Sequence, residues 1–137
     1  MAYLLTGDMA IDDRGKVKFV NDFNFKDIKR FYQVENHQKG FIRAWHGHKT
    51  ENKYIYVASG SALVGVVNLA SNEVERFVLS GEKPMILWAP PNSANGFMNL
   101  EDNTIVFFFS SHTLAESAKD DIRFPYDQWN IWNIPYR

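Results

Sequence analysis

Two of the four histidines, His46 and His48, stand two residues apart in the segment RAWHGHK that begins at Arg43. Alternate residues of a β-strand share one face, so the two imidazoles would lie side by side. An imidazole titrates near neutral pH and can therefore take a proton and return it. Four residues separate His48 from Lys53, whose cation suits an enolate oxygen as its charge develops. These residue types point to proton transfer next to a carbonyl group.

The rest of the chain alternates short apolar runs with turn residues, a pattern typical of an all-β protein. Runs rich in Val, Ile, Phe and Tyr predict eight strands, at residues 16–20, 28–34, 41–45, 53–58, 61–68, 74–79, 85–88 and 104–110. Eight strands at this spacing predict a jelly roll. One helix is predicted at 114–121, where Thr113 is a suitable N-cap and Glu116 completes a capping box.

Composition sets the limits of the protein class. The 137 residues, 45% of them hydrophobic, suffice for one domain with a sizeable core and not for two. Fifteen Lys and Arg residues against sixteen Asp and Glu residues leave a formal charge of −1, so neither nucleic acid nor an anionic membrane is an expected partner. The absence of Cys excludes disulfide scaffolds, Cys-ligated zinc, iron–sulfur clusters and thiol nucleophiles. With no long apolar run and no basic region at its start, the protein is expected to be cytoplasmic.

The histidine segment matches the first motif of the cupin barrels in its spacing, which runs Gly40, five residues, His46, one, His48, four, Lys53, six and Gly60. A later segment, PPNSANGFMN from Pro90, resembles the second cupin motif with Asn95 in place of its histidine. Metal-binding cupins carry Glu at the position of Lys53. An ammonium group repels a divalent ion and offers it no lone pair, so a pocket without a metal or other cofactor is expected.

Further segments, in chain order, resemble the nucleotide-sugar cupins: DDRG from Asp12, IKRFY from Ile28, the histidine segment, and DIR from Asp121 with Tyr126 and Asp127. These cupins are the dTDP-4-dehydrorhamnose 3,5-epimerases and their short relatives, the dTDP-4-keto-6-deoxyhexose 3,4-ketoisomerases. The likeness covers nearly the whole chain. It implies a single cupin domain over residues 1–137, with an all-β, cupin-type jelly-roll barrel (a double-stranded β-helix) and one short C-terminal helix.

The resemblance also implies an activity and its catalytic residues. The chain is expected to be a metal-independent isomerase that removes the C3 proton of a dTDP-linked 4-keto-6-deoxyhexose, for cell-surface polysaccharides of the lipopolysaccharide O-antigen type. His46 matches the epimerase base, and His48 matches a proton-shuttling histidine of the ketoisomerases. Lys53 matches an epimerase lysine near the keto oxygen. Asp127 lies near the position of the aspartate that orients the base.

Substrate-binding residues are implied in the same way. Arg14 matches an arginine that reaches the nucleotide diphosphate, often from a neighbouring subunit, and Arg43 is expected to hold the same diphosphate. Tyr32 and Asn36 fall where family members line the nucleotide or sugar cleft. Asn95 is expected in the pocket. Members of the family exchange N-terminal strands across a two-fold axis, and together with the aromatic C-terminal segment this predicts a homodimer.

Several alternatives stay open at the level of sequence. The strand at 104–110 lacks the tyrosine that epimerases use as their second acid, which disfavours dual 3,5-epimerisation. The sequence does not distinguish C3 epimerisation from 3,4-keto-isomerisation. A cupin module that binds the nucleotide sugar without chemistry is a second hypothesis, and a metal-dependent dioxygenase is a third. His37 and His112 have no spacing argument and are expected at the surface or in turns.

Overall fold

The computed structural model describes all residues from 1 to 137 and consists almost entirely of β-strands. The strands are β1 (Tyr3–Thr6), β2 (Asp8–Asp12), β3 (Gly15–Phe19), β4 (Arg30–Val34), β5 (Ile42–His48), β6 (Lys53–Ser59), β7 (Ser61–Asn68), β8 (Val74–Ser80), β9 (Met85–Ala89), β10 (Ser93–Asn99), β11 (Ile105–Ser110) and β12 (Ile122–Arg123). The one helix, α1, spans Leu114–Lys119. The all-β prediction with one short C-terminal helix is confirmed.

Two antiparallel sheets of five strands form the jelly roll. The first sheet has the strand order β1-β9-β6-β11-β4, and the second has the order β12-β5-β10-β7-β8. Strands β2 and β3 form a separate hairpin. Apart from β7 and β8, the strands that are neighbours within these two sheets are not consecutive in sequence, as expected of a jelly roll, and the predicted architecture is confirmed.

The main core lies between the two sheets. Ile55 and Leu87 of the first sheet pack in one cluster with Val64, Leu79 and Phe97 of the second, and all five are buried. Because side chains alternate along each strand, every second residue contributes to this layer. The layer fixes the distance between the sheets, and with it the width of any space that opens between them.

The outer face of the second sheet is covered by the C-terminal segment. Trp132 packs there with Trp45, Leu63 and Val67 in a second buried cluster. Trp132 also donates its indole N–H to the backbone oxygen of Tyr126 at 2.8 Å. Strand β7 is consequently apolar on both faces. The aromatic residues of the C-terminal segment thus largely serve this chain's own core.

A β-bulge divides β5. Asn95 of β10 pairs with His46 and Phe97 pairs with Arg43, so two residues of β5 stand opposite Gly96 alone. A Cβ atom on Gly96 would meet Ala44, which explains the need for glycine at this close approach. An extra residue resets the alternation of a strand. The bulge therefore lets Arg43, three residues before His46, share its face of the sheet.

The structure differs from the sequence prediction in four strands that were not predicted and in the end of the helix. Strands β1, β2 and β12 were not predicted, and neither was β10, whose Ser, Asn and Gly residues have low strand propensity. Strand β10 forms because it is hydrogen-bonded to β5 on one side and β7 on the other. The predicted capping box at Thr113 and Glu116 is confirmed, but the helix ends at Lys119, before the predicted limit. No helix has the length and hydropathy to cross a membrane.

Candidate active site

A cavity of about 350 Å³ opens between the sheets. The second sheet contributes Arg43, His46, His48, Asn95 and Phe97. The first sheet contributes Arg30, Tyr32, Val34, Lys53 and Phe108. The wall is closed by Leu114, Ser117 and Ala118 of the helix, by Asp121 just before β12 and by Arg123 of β12. The predicted imidazoles and lysine therefore meet in one space.

His46 is a neutral base at neutral pH. Its ring makes no hydrogen bond within the protein, and its neighbours across the sheet are Asn95 on β10 and Arg123 on β12. Burial lowers the pKa of His46 to about 4, and the positive charges of Arg123 and Lys53 act in the same direction. A neutral imidazole keeps a lone pair available, so His46 is able to accept a proton.

His48 is oriented by the backbone. The residue is only 5% exposed, and its Nδ1 lies 2.6 Å from the carbonyl oxygen of Asp120. A carbonyl accepts only, so Nδ1 carries the hydrogen and Nε2 keeps the lone pair. No protein group is hydrogen-bonded to Nε2. Burial and the Lys53 charge lower the pKa of His48 as well, which keeps this second imidazole in its neutral form.

Lys53 faces the two imidazoles from the opposite sheet. Its side chain is buried and its Nζ lies 3.8 Å from Oε2 of Glu51. The same Nζ lies 5.8 Å from the centre of the Phe108 ring, which stacks on Tyr32 at 5.0 Å and 10°. A buried ammonium held by a carboxylate and aromatic faces is a fixed positive charge. It suits a substrate oxygen that becomes negative.

Three guanidinium groups add to the positive charge of the cavity. The Arg30 Cζ lies 4.9 Å from the centre of the Tyr32 ring. Arg43 donates its Nε–H to Oδ1 of Asn36 at 2.6 Å. Arg123 donates to Asp121 at 2.9 Å, and this ion pair raises the pKa of Arg123 while it lowers that of Asp121. Planar guanidinium groups fit phosphate oxygens, so the cavity suits an anionic ligand.

The structure brings together six of the nine predicted site residues: Tyr32, Arg43, His46, His48, Lys53 and Asn95. Asn36 does not line the cavity and instead accepts a hydrogen bond from the Arg43 guanidinium group. Arg14 is exposed in the β2–β3 hairpin, where it pairs with Asp12. Lys53 and Asn95 occupy the expected cupin positions, and no three His, Asp or Glu side chains converge as metal ligands would.

Asp127 lies away from the cavity in which it was expected. It is exposed in a turn after β12, because the chain leaves the cavity there to cover the outer face of the second sheet. It does not line the cavity. The carboxylates near the histidines are Asp120, Asp121 and Glu51. The candidates for the carboxylate partner of the base are these three residues.

Sequence reasoning gave no role to Arg30, Asp121, Arg123 or Glu51. The first three lie within the segments that carry the family resemblance, but the resemblance assigned no role to them. Glu51 stands in the polar stretch between β5 and β6, where a solvated side chain is the ordinary expectation. Its burial arises from contacts with the distant helix, which no local pattern encodes.

A family model described as dTDP-4-dehydrorhamnose 3,5-epimerase matches residues 2–134. The chain belongs to this family. It is accordingly an enzyme of the isomerase class, and the hypothesis of a module without chemistry is not supported. No curated protein sequence matches the chain significantly.

Solved structures of the epimerase family share the fold. A dTDP-4-dehydrorhamnose 3,5-epimerase from Bacillus anthracis, with TDP and pyrophosphate bound, superimposes with a TM-score of 0.81 at 24% identity, covering 92% of this chain and 79% of that one. A 3′-monoepimerase from Streptomyces bikiniensis with dTDP-quinovose gives 0.79 at 17% identity, covering 92% and 71%. A histidine-to-asparagine variant of a 3,4-ketoisomerase from Thermoanaerobacterium thermosaccharolyticum, with TDP-4-keto-6-deoxyglucose, gives 0.73 at 19% identity, covering 92% and 88%.

Proposed function

We propose that the protein converts a dTDP-linked 4-keto-6-deoxyhexose to its 3-keto isomer, by moving the C3 proton to C4. Family membership and the nucleotide-sugar ligands of the similar structures support this substrate class. The residues of the cavity support the chemistry. Each step of the isomerisation has a candidate group among them.

The first step is removal of the C3 proton. The neighbouring ketone acidifies this proton, because the negative charge left behind spreads onto O4 as an enolate. His46 and His48 are both neutral bases with free lone pairs, and either takes the proton. Lys53 stands on the opposite wall and stabilises the charge on O4. The intermediate is the C3–C4 enediol.

The second step completes the move of the carbonyl group from C4 to C3. A proton returns to C4, while the hydroxyl proton of O3 leaves and a proton is added to O4, so that the ketone ends at C3. Two kinds of proton therefore move, one between carbons and one between oxygens. Two imidazoles on the same strand face meet this need, one for each transfer. This pairing of His46 and His48 is the observation that carries the proposal.

C3 epimerisation is the alternative within the same family. It needs a proton donor on the face of the sugar opposite the base. In this chain Phe108, which lines the cavity from β11, has no hydroxyl group. Strand β11 thus lacks the tyrosine that serves as the second acid in the epimerases that the chain resembles, and this difference supports our choice of the reaction that uses one face.

The guanidinium groups of Arg43 and Arg30 are proposed to bind the diphosphate at the cavity. Arg14 is exposed on the hairpin of β2 and β3 and is proposed to reach the diphosphate of a second copy in a homodimer. The outer face of the first sheet supports such an assembly, because Phe25 and Phe31 are 61% and 64% exposed there. Sedimentation equilibrium tests the dimer, and a monomer at micromolar concentration contradicts it. A role in cell-surface polysaccharide synthesis in the cytoplasm is part of the same proposal.

The decisive experiment is NMR of the purified protein with dTDP-4-keto-6-deoxyglucose in D₂O. We expect the carbonyl resonance to move from C4 to C3. A ketone that stays at C4 while deuterium enters C3 would instead establish C3 epimerase chemistry. The variants His46→Asn and His48→Asn are tested in the same assay, and wild-type turnover in both contradicts the proposed mechanism. Exposed His37, changed to Asn, is the matched control.

A further inference from the structure

Asp120 joins the end of the helix to the turn between β5 and β6. It follows α1 as the C-cap and donates its own N–H to the carbonyl oxygen of Ser117 at 3.1 Å. Its carboxylate accepts the backbone N–H groups of Lys49 at 2.8 Å, Thr50 at 3.0 Å and Glu51 at 3.2 Å. The Thr50 hydroxyl donates to the same carboxylate at 3.0 Å. One side chain thus closes the turn that directly follows β5.

The backbone of Asp120 contacts the imidazole of His48. The Asp120 carbonyl oxygen lies 2.6 Å from Nδ1, and Nε2 has no partner within the protein. A carboxylate oxygen of Glu51 lies farther from Nδ1, at 3.6 Å, and accepts the Ser117 hydroxyl. The Asp120 carbonyl is therefore the acceptor that keeps the hydrogen on Nδ1 and the lone pair on Nε2.

The carboxylate of Asp120 is ionised at neutral pH. Burial raises its pKa, but the hydrogen bonds from Thr50, Lys49 and Glu51 outweigh burial, so the pKa lies below its ordinary value. Hydrogen bonds to an ionised carboxylate are stronger than those between neutral groups. The side chain therefore fixes residue 120 against the end of β5, where its carbonyl oxygen meets His48.

We propose that Asp120 is a positioning residue: its carboxylate anchors the helix end to the β5–β6 turn, so that its carbonyl oxygen holds His48 in the tautomer with a free Nε2 lone pair. The proposal rests on the proposed function, because His48 is a base of that reaction. Asp120 does not line the cavity, so it acts through the imidazole. Its carboxylate contacts the turn and its backbone contacts the base, which separates the anchoring group from the orienting one.

The test measures the tautomer of His48 in the free enzyme by nitrogen NMR of the histidine rings, with His48→Asn to assign its signals. In the wild type the hydrogen is expected on Nδ1. Asp120→Ala removes the anchor, and we expect a mixture of the two tautomers. We also expect a kcat about tenfold lower with KM changed by less than about twofold, because a displaced base slows chemistry more than binding. Asp120→Asn keeps one acceptor oxygen, and an intermediate result is expected in both measurements.

Thr113→Ala is the matched control, because it removes the N-cap at the opposite end of the same helix. It is expected to keep both the Nδ1–H tautomer and the wild-type kcat. A tautomer mixture in Thr113→Ala as well would attribute the effect to general loosening of the helix and overturn the proposal. An Nδ1–H tautomer that persists in both Asp120→Ala and Asp120→Asn would also overturn it, even where their stability falls.

The spectra need no substrate, so the two proposals fail separately. A wild type that does not isomerise the sugar contradicts the proposed function, while the spectra still decide whether Asp120 sets the tautomer of His48.

Discussion

The Nζ atom of Lys53 lies 5.6 Å from the centre of the Tyr32 ring, although the two residues belong to strands that are not neighbours in the first sheet. Strand β11 separates them and contributes Phe108, which stacks on Tyr32. The ammonium group is thus held over an aromatic surface that spans two strands. Such contacts are worth roughly 0.5–2 kcal/mol and restrict where the charge can be.

Lys53→Met is expected to lower kcat/KM by about 10²–10³-fold, because the developing charge on O4 loses its fixed cation. Lys53→Arg keeps the charge but changes its position, and it is expected to recover only part of the loss. Steady-state kinetics with the nucleotide sugar provides the measurement. Equal activity of Lys53→Met and the wild type would remove Lys53 from the mechanism.

Asn36→Ala is expected to raise KM about fivefold with little change in kcat, because it releases Arg43 from the 2.6 Å hydrogen bond that positions its guanidinium group. Arg43→Met is expected to give a larger increase in KM. Isothermal titration calorimetry with TDP measures the affinity for the nucleotide without turnover. Asn24→Ala, on an exposed turn, is the control. A fall in kcat at unchanged KM would contradict a role in binding.

The pH dependence of stability follows from His46. Its pKa falls from 6.5 to about 4 on folding, so the unfolded chain binds this proton more readily than the native protein. The contribution of His46 is complete above about pH 6.5 and is lost as the pH falls towards 4. His46 is only half-buried, so after discounting for solvent screening we expect a loss on the order of 2 kcal/mol. Urea unfolding of the wild type and of His46→Asn at several pH values measures this loss of unfolding free energy. If the two proteins lose stability in parallel as the pH falls, His46 is not the cause.

Trp132→Ala is expected to destabilise the protein by about 3–5 kcal/mol, because it empties the second cluster against Trp45. Tyr136→Ala, at a fully exposed position of the same segment, is expected to change the free energy of unfolding by less than about 0.5 kcal/mol. Urea denaturation provides the comparison. Similar stability of both variants would show that the C-terminal segment contributes little to the fold.

Strand alternation and turn chemistry are encoded locally, which is why they were predictable. His46 and His48 share a face for that reason, and Thr113 caps the helix as its sequence context indicates. The pairing of Arg43 with His46 on one face is different. Residues three apart in a regular strand point to opposite sides, and only the bulge opposite Gly96 reverses this. No sequence period signals it.

Strand β10 and the carboxylates of the site escaped prediction because their environment is made by distant residues. The segment SANGFMN has the composition of a loop, yet it is fully buried between β5 and β7. Asp127 has a suitable residue type but follows the chain to the outer side of the second sheet. Asp121 reaches the histidines because β12 returns to β5, and Glu51, three residues after His48, is buried through its contact with Ser117 of the helix.

The covering of the second sheet by residues around Trp132 has a consequence for synthesis on the ribosome. A nascent chain emerges from its N-terminus, so strands β5, β7 and β10 leave the exit tunnel before their cover does. During that interval Trp45, Leu63 and Val67 face water or a chaperone. Arg123 and Asp121 emerge equally late. The cavity and the cover of the second sheet are therefore both completed only after strands β1 to β11 have been synthesised.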